Sequence, residues 1–267
     1  MPSPMDGNSL SSRGLNLLLA AAVVLALSFV AGLLAVQLGY TQPGDMAAAL
    51  RNGELRHAIF LSLTTATIAS TLALLAALPV AYALARHQFP GSFLVDLILD
   101  LPVILSPVAV GVSLLLLLRT TPGRWVETHL MAFIFETPGI VLAQFTVALA
   151  LSIRVLKAAF QEVDVRYEQV SRFLGLNGWE TLLKVTLPLA KRGILAAFIL
   201  AWARSMGEFG ATVTLAGAVA GKTETIPVAI YLRMASVDIT GAVSLIVLLS
   251  MISLSALLMV RLLVRAR

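Results

Sequence analysis

The stretch that decides the architecture of this chain is QEVDVRYEQVSRFLGLNGWETLLKVTLPLAKR, residues 161–192, which separates two strongly apolar regions. Its apolar residues recur at helical spacing on both sides of Gly175. We predict a short helix from Val165 to Leu174 that ends at this glycine. We predict a second helix from Trp179 to Leu187, stopped by Pro188. A charged, helix-forming loop in so apolar a chain indicates a surface that contacts a partner.

The rest of the chain has the composition of a membrane protein. Of its 267 residues 59% are hydrophobic and 12% charged, whereas soluble domains carry about 25% charged residues. Apolar runs of about 20 residues are long enough to cross the hydrocarbon core as helices. We therefore predict an all-α, polytopic membrane protein with six transmembrane helices: Asn16–Leu38, His57–Ala85, Leu94–Leu118, Pro138–Phe160, Gly193–Gly217 and Gly241–Leu263.

The residue types present exclude several kinds of chemistry. The chain has no cysteine, so it has no disulfide, thiolate metal site or cysteine nucleophile. Its three histidines lie far apart in the sequence, and no catalytic or metal-binding motif is present. We predict no metal site, no cofactor bound by this chain and no enzymatic activity of its own.

The basic residues predict the orientation in the membrane. If both termini are cytoplasmic, that side holds nearly twice as many Lys and Arg residues as the other. The net charge of +5 is then explained by the excess of Lys and Arg in the cytoplasmic loops, and it does not indicate nucleic-acid binding. This orientation also places residues 161–192 in the cytoplasm. The first apolar helix, preceded by Arg13, is longer than the apolar part of a signal peptide, which favours an uncleaved helix.

Several predicted spans contain features that interrupt a membrane helix, among them Pro79 in the second. The third contains Pro102 and Pro107, with Gly111 beyond them, and such prolines open kinks. The kinks are compatible with a gating helix or with an ordinary bent span. In the fifth span Arg204 and Glu208 stand four residues apart, on one helix face that Thr212 continues. A parallel stripe of small residues predicts close packing against a neighbouring helix: Ala203, Gly207 and Ala211.

Charges at membrane depth leave two interpretations of the Arg204–Glu208 pair. They face either a translocation pathway or gate, or a neighbouring helix that the pair locks in place. Asp96 and Asp100 are also four residues apart, at the start of the third span. They suggest a cation site or, more simply, carboxylates that favour the dipole of a helix N-terminus. Near the end of the fourth span, Arg154 and Lys157 are placed to snorkel towards the interface.

One glycine-rich segment resembles a phosphate-binding loop but lacks its context. Residues 217–223, GAVAGKT, have one residue too few between the glycines. They follow a membrane helix instead of a strand, and they fall on the predicted outer side. We therefore predict no nucleotide site in this chain.

The loop resembles that of ABC importer permeases. The pattern of that loop is Glu-Ala-Ala, three residues, Gly, nine residues, Ile, any residue and Leu-Pro. In this chain the corresponding residues are Gln169-Val170-Ser171, then Gly175 after three residues, then Val185-Thr186-Leu187-Pro188 after nine more. The register from glycine to proline matches, and Arg172 and Leu174 fit the usual continuation. The Glu-Ala-Ala part does not match, since Gln169 takes the place of the glutamate and Glu168 stands one residue early.

The resemblance covers roughly Glu54 to Val264. It looks closest to the molybdate branch of these permeases, and it implies the fold of type I importers. The segments that carry it are 101–111, 203–212 and 222–227. Sulfate permeases have a related Glu-Phe-Gly-Ala segment, here residues 208–211. The resemblance implies a domain at 54–264, with a tail, helix and outer loop at 1–53 and a tail at 265–267.

The same resemblance implies the partners and the roles of residues. Two copies of the chain form the pathway for molybdate or tungstate in the inner membrane. Two separate ATPase subunits, which bind ATP and Mg²⁺, engage the cytoplasmic loops, and a periplasmic or lipid-anchored protein delivers the oxyanion. The residues expected to dock the ATPase are Glu168, Gln169, Val170, Ser171, Arg172, Gly175, Leu187 and Pro188. Those expected in the pathway or gate are Arg204, Ser205, Glu208 and Thr212.

Three alternatives remain at this stage. The chain is a sulfate or thiosulfate permease of the same type, a secondary transporter that needs no ATPase, or a membrane anchor for other proteins. A secondary transporter predicts inverted repeats or discontinuous helices, and the sequence shows no such repeat. The loop helix has its own alternative, an amphipathic helix that rests on lipid.

Overall fold

The described structure, a computed structural model, is an α-helical bundle. It covers residues 7–41, 44, 51–87 and 90–265, so the predicted N-terminal region 1–53 and the predicted C-terminal tail 265–267 lie partly outside the described residues. In these residues the helices are α1 (Gly7–Gly39), α2 (Gly53–Arg86), α3 (Ser92–Ile104), α4 (Pro107–Arg119), α5 (Thr121–His129), α6 (Thr137–Glu162), α7 (Val165–Phe173), α8 (Gly178–Thr181), α9 (Leu187–Met206), α10 (Gly210–Ala216), α11 (Ile226–Ala235) and α12 (Ile239–Arg265). Five helical segments, one of which runs from α8 through α9, are long and apolar enough to cross a membrane, and the bent pair of α3 and α4 forms either a broken sixth span or a re-entrant loop. The all-α, polytopic prediction is confirmed.

Helices α2 and α6 form the centre of the bundle. The contact face of α2 is lined by alanines, which are fully buried: Ala66, Ala69, Ala73, Ala77 and Ala81. Small side chains let two helix backbones approach closely, so that dispersion contacts can replace the hydrophobic effect that is absent in lipid. Near one end, Ala77 and Ala81 pack with Phe160 of α6 and Ala197 of α9. Helices α2 and α6 finish at this end, and α7 follows there.

The third predicted span is two helices and not one kinked helix. Helices α3 and α4 are bent by 111° about the break between Ile104 and Pro107. Proline accounts for the new start, because Pro107 lacks an N–H and fits the first turn of α4. Ser106 caps that turn by accepting a hydrogen bond from the N–H of Ala109 (3.3 Å).

The loop and the fifth span are continuous where the sequence predicted a stop. A π-helical segment, Leu182–Thr186, joins α8 directly to α9, so the expected end at Pro188 is wrong. The N–H of Leu187 bonds to the carbonyl of Leu182, five residues back. This wider turn comes directly before Pro188, whose missing N–H is tolerated in the first turn of α9.

The fifth span does break, but further along. Helix α9 ends at Met206 and α10 begins at Gly210, so residues 207–209 form a short irregular joint. Helix α1 lies at the edge of the bundle, and among its described side chains only Gln37 is partly buried. Gln37 accepts a hydrogen bond from Ser250 of α12 (3.3 Å).

Candidate functional site

Helix α7 is a short, well-capped helix outside the spanning segments. Asp164 accepts a hydrogen bond from the N–H of Arg166 (2.9 Å) and so caps its first turn. Gly175 follows its last turn with φ of +95°, a conformation that L side chains rarely adopt. The predicted helix and its glycine stop are confirmed.

One face of α7 is exposed and carries both apolar and cationic side chains. Phe173 has 91% of its surface exposed, and Tyr167, Val170 and Leu174 are also largely exposed. Gln169 and Arg172 are exposed as well. Trp179, which follows shortly after them in α8, is also exposed. Phe173 lies between the predicted docking residues Arg172 and Gly175. No docking role was predicted for Trp179, although an aromatic residue in a polar loop is typical of a contact surface.

The opposite face of α7 is held against the bundle. The Glu168 carboxylate forms an ion pair with Arg86 at the end of α2 (Nε–Oε1 2.8 Å), and both side chains are buried. The Ser171 hydroxyl donates to the carbonyl of Glu168 and lies 3.0 Å from the hydroxyl of Thr181. Glu168 and Ser171 thus face the bundle. Of the other predicted docking residues, Leu187 is half-buried and Pro188 is exposed.

The acidic pair of α3 binds α6. Asp96 and Asp100 lie beyond the first turn of α3, so the helix-dipole interpretation is wrong. Asp96 pairs with Lys157 (2.6 Å) and Asp100 with Arg154 (2.8 Å). Because α3 has no fully buried residue among those described, these two ion pairs are prominent among its attachments to the bundle.

Buried polar groups surround the joint between α9 and α10. The carbonyl of Ser205, at the end of α9, accepts hydrogen bonds from the N–H of Glu208 (3.1 Å) and from the side chain of Gln144 in α6 (3.1 Å). The Glu208 carboxylate accepts from the N–H of Ala211 in the first turn of α10 (3.1 Å). Side chains therefore satisfy backbone groups that the break sets free, as a broken membrane helix requires.

The predicted pathway residues gather at this joint. The Arg204–Glu208 ion pair is confirmed, with Nη1 and Oε2 2.7 Å apart. Arg204 has 37% of its side chain exposed, whereas that of Glu208 has 1%. Ser205 and Thr212 are buried, and neither hydroxyl oxygen has a hydrogen-bond partner among the described residues. Sequence reasoning missed Gln144, because a single amide in an apolar span gives no periodic signal.

The small-residue stripe of the fifth span packs only in part as we expected. Ala211 is buried against α4, where a Cβ on Gly111 would lie 3.0 Å from the Cα of Ala211. Gly207 lies in the joint and is exposed, and a Cβ there would have no atom closer than 3.9 Å. The close approach instead involves Gly210, where a Cβ would lie 2.8 Å from the Cβ of Pro107. A Cβ on Gly111 of α4 would similarly lie 2.7 Å from the Cβ of Thr214. Helices α4 and α10, each beginning at a break, therefore pack almost backbone to backbone.

The segment that resembled a phosphate-binding loop is a structural turn. Thr223 is buried and accepts a hydrogen bond from the N–H of Val219 (3.0 Å), and Lys222 pairs with Glu136 at the start of α6. Next to it, partial burial raises the pKa of Glu224, and repulsion from Glu54 raises it further. Within residues 7–41, 44, 51–87 and 90–265, no three His, Cys, Asp or Glu side chains come together as a metal site.

The bent and broken spans, the buried polar joint and the projecting helix define a polytopic membrane permease. The family model described as "Binding-protein-dependent transport system inner membrane component" matches residues 70–267. The chain belongs to this family, and the resemblance to type I ABC importer permeases is thereby confirmed.

The chain is similar to several curated permeases. It is 36% identical to the probable transport system permease protein NifC of Clostridium pasteurianum over 78% of this chain and 73% of that protein. It is 40% identical to the molybdenum transport system permease ModB of Escherichia coli K12 (65% of this chain, 77% of that protein). The sulfate permease CysW of Synechococcus elongatus is 34% identical (85% and 77%).

The fold has a solved counterpart. A chain in the crystal structure of the bacterial alginate ABC transporter, in complex with an alginate-bound periplasmic protein, superposes with a TM-score of 0.75. The likeness covers 97% of this chain and 96% of that one at 14% sequence identity, and so shows the shared fold alone.

Proposed function

We propose that this chain forms the translocation pathway of an ATP-driven importer for an oxyanion, with molybdate or tungstate as its cargo. The observation that carries the proposal is α7: one face is anchored to the bundle, and the other presents Phe173, Val170 and Arg172 to solvent. An exposed aromatic residue beside an arginine is typical of a protein–protein interface. A surface of this kind suits a rigid helix that sits in a cleft of a partner.

The proposed assembly contains two copies of this chain, two ATPase subunits that bind Mg-ATP, and an oxyanion-binding protein. The chain has no nucleotide motif, so in the proposed importer a separate polypeptide hydrolyses the ATP. The family description, with its binding protein, supports an external partner that supplies the cargo. ATP-driven closure of the ATPases would move α7, and the bundle would alternate between outward and inward openings.

The proposed docking residues divide into two groups by burial. Gln169, Val170, Arg172 and Gly175 are exposed and form the proposed contact surface. Glu168 and Ser171 face the bundle, so their part in docking is to hold α7 in position. The alternative of a helix resting on lipid is less well supported, because Arg172 lies on the exposed side together with the apolar residues.

The proposed gate is the joint between α9 and α10 together with the break between α3 and α4. Arg204 is partly exposed and cationic, which suits the passage of a divalent anion. Ser205, Glu208 and Thr212 are buried in this conformation, and the Ser205 carbonyl and the Glu208 carboxylate hold the joint through hydrogen bonds with Gln144 and Ala211. Broken helices also occur in secondary transporters, but membership of a binding-protein-dependent family favours ATP-driven import.

Sulfate is the alternative cargo. The relative named for molybdenum transport is 40% identical to this chain, and the one named for sulfate transport is 34% identical. The higher identity favours molybdate, but the difference is too small to decide between the two cargoes. Both anions are tetrahedral and divalent, so a passage selected by charge and shape suits either. We place the selection in the binding protein.

We also propose the topology that the basic residues predict. Both termini and α7 lie in the cytoplasm, and residues 54–264 form the importer domain. Residues 1–53 hold the first helix and an outer loop, and 265–267 a short tail. Accessibility labelling of single cysteines at exposed positions tests this directly, because the natural chain has no cysteine.

Transport by the reconstituted complex tests the function. The chain is placed in liposomes with its ATPase and oxyanion-binding protein, and uptake of molybdate is measured with and without ATP. We expect ATP-dependent uptake that tungstate abolishes and an equal concentration of sulfate barely reduces. Stronger inhibition by sulfate would make sulfate the cargo. Uptake by the chain without the ATPase would make it a secondary transporter.

A further inference from the structure

The buried ion pair between Arg86 and Glu168 lies where three parts of the chain meet. Arg86 is in the last turn of α2, and Glu168 is in α7. The Nε and Oε1 atoms are 2.8 Å apart, with 7% and 4% of the two side chains exposed. By contrast, the exposed pair Lys184–Glu180 has 63% and 38% exposed. Of these two pairs, the buried one joins separate elements and is the one positioned to hold α7 firmly against α2.

Both oxygens of the Glu168 carboxylate are engaged. The hydroxyl of Thr186 donates to Oε1 (2.9 Å), and that of Tyr82 donates to Oε2 (3.2 Å). The guanidinium of Arg86 also donates to the carbonyl of Val163 in the turn before α7 (2.8 Å). One carboxylate thus connects α7 to α2 and to the π-helical segment that leads into α9. A buried charge with this many hydrogen bonds is strongly held, because removal of a partner leaves the remainder unsatisfied.

The position of Glu168 gives it a role that differs from docking. Successive residues of an α-helix are turned by about 100°, so an acid one residue before Gln169 faces a different side of α7. In this chain Gln169 faces outward and Glu168 faces the bundle. The acidic side chain is therefore available to hold the helix and not to touch a partner.

We propose that Glu168 anchors α7 to α2 and α9, with Arg86, Thr186 and Tyr82 as the residues that position its carboxylate. Through this anchor a displacement of α7 reaches α2 directly and reaches α9, with its joint at residues 207–209, through Thr186. The effect of this anchor on anion import rests on the proposed function. The anchor itself is a property of the chain alone.

Hydrogen exchange tests the anchor without reference to transport. The full-length chain in lipid nanodiscs is compared with Glu168→Gln, which keeps the shape but removes the charge. Amides of α7 are expected to exchange about tenfold faster or more, because a hydrogen-bonded charge is lost. Amides in the middle of α6 should be unchanged. The control is Glu162→Gln, since Glu162 is exposed at the end of α6. Equal α7 exchange in wild type and Glu168→Gln would overturn the anchor.

Transport per ATP hydrolysed tests the consequence. In the reconstituted complex, Glu168→Gln should still bind the ATPase through the exposed face of α7, but import about tenfold less anion for each ATP consumed. A merely structural residue would lower uptake and ATP hydrolysis together. A looser α7 with an unchanged ratio would overturn the transmission role.

Two milder variants keep the test decisive if Glu168→Gln folds poorly. Thr186→Val and Tyr82→Phe each remove one hydrogen bond to the carboxylate and leave the ion pair in place. For both variants we expect smaller changes in the same direction, in the hydrogen exchange of α7 and in the anion imported per ATP. If neither variant changed either measurement, the proposal would be overturned. If the wild-type complex shows no ATP-driven uptake, the proposed function fails, while the exchange result still decides the anchor.

Discussion

The two members of the Arg204–Glu208 pair differ in their surroundings, and this difference gives a testable asymmetry. Arg204→Ala leaves the buried Glu208 carboxylate without its cation and should lower the free energy of unfolding by about 3 kcal/mol. Glu208→Gln leaves a partly exposed arginine that water can reach, and should lower it by about 1 kcal/mol. Denaturant titration in micelles measures both. Lys184→Ala, which breaks an exposed pair, is the control and should have no measurable effect. An equal loss for both variants would contradict the assigned burial of Glu208.

Glu224 should make stability depend on pH. Its folded-state pKa is raised above the ordinary value of 4.5 by desolvation and by Glu54. The folded chain therefore favours the protonated acid, and this contribution is complete below the unfolded pKa and is lost as pH rises through the folded pKa. Relative to Glu224→Gln, the wild type should lose stability as pH rises above about 4.5. Thermal unfolding of the two proteins at several pH values measures the difference, and parallel curves would contradict the raised pKa.

At the scale of the elements, the gate depends on how closely α4 and α10 approach. Gly210→Ala would place a Cβ 2.8 Å from the Cβ of Pro107 and 3.0 Å from the backbone nitrogen of Val108. The backbone of α4 has to shift, so we expect a loss of about 1–3 kcal/mol in stability. We also expect reduced anion uptake, since the two helices that begin at the breaks are forced apart.

A glycine three residues away supplies the control for that prediction. Gly207→Ala adds the same methyl group where the nearest atom is 3.9 Å away, and its φ of −91° is allowed to alanine. It should leave stability and uptake near wild type. If both variants behave alike, the packing of α4 on α10 is not what limits transport.

Gly175 tests the end of α7 independently of its anchor. With φ of +95°, valine at this position costs about 1–3 kcal/mol of backbone strain. Gly175→Val should displace the turn, so that ATP hydrolysis continues while anion uptake falls. Gly178→Val is the control, since Gly178 has open space and no positive φ. Normal uptake by Gly175→Val in a complex that binds its ATPase would show that this turn is not needed for coupling.

At the scale of the whole molecule, periodic patterns predicted the elements, and long-range contacts decided the rest. Apolar length predicted the spans, and glycine with helical spacing predicted α7 and its end. The ion pair of Arg204 with Glu208 was predictable, because a spacing of four is local. The pair of Arg86 with Glu168 was not, because 82 residues separate its members. The stop expected at Pro188 failed for a similar reason: the chain absorbs the proline in a π-helical turn that no periodic pattern reports.

The exposed face of α7 should determine whether the assembly forms at all. Phe173 is 91% exposed and contributes little to the packing of the bundle, so Phe173→Ala should leave the fold of the chain unchanged. Truncation of an aromatic side chain at the centre of an interface costs about 2 kcal/mol, or about a 30-fold loss of ATPase affinity. Titration of the purified ATPase against the chain in nanodiscs measures this. Phe60→Ala is the control, because Phe60 is 66% exposed near the start of α2, whereas α7 contacts the other end of this helix at Arg86. Equal ATPase affinity for both variants would move the docking surface away from α7, and the exposed aromatic residue would then be assigned to the membrane surface.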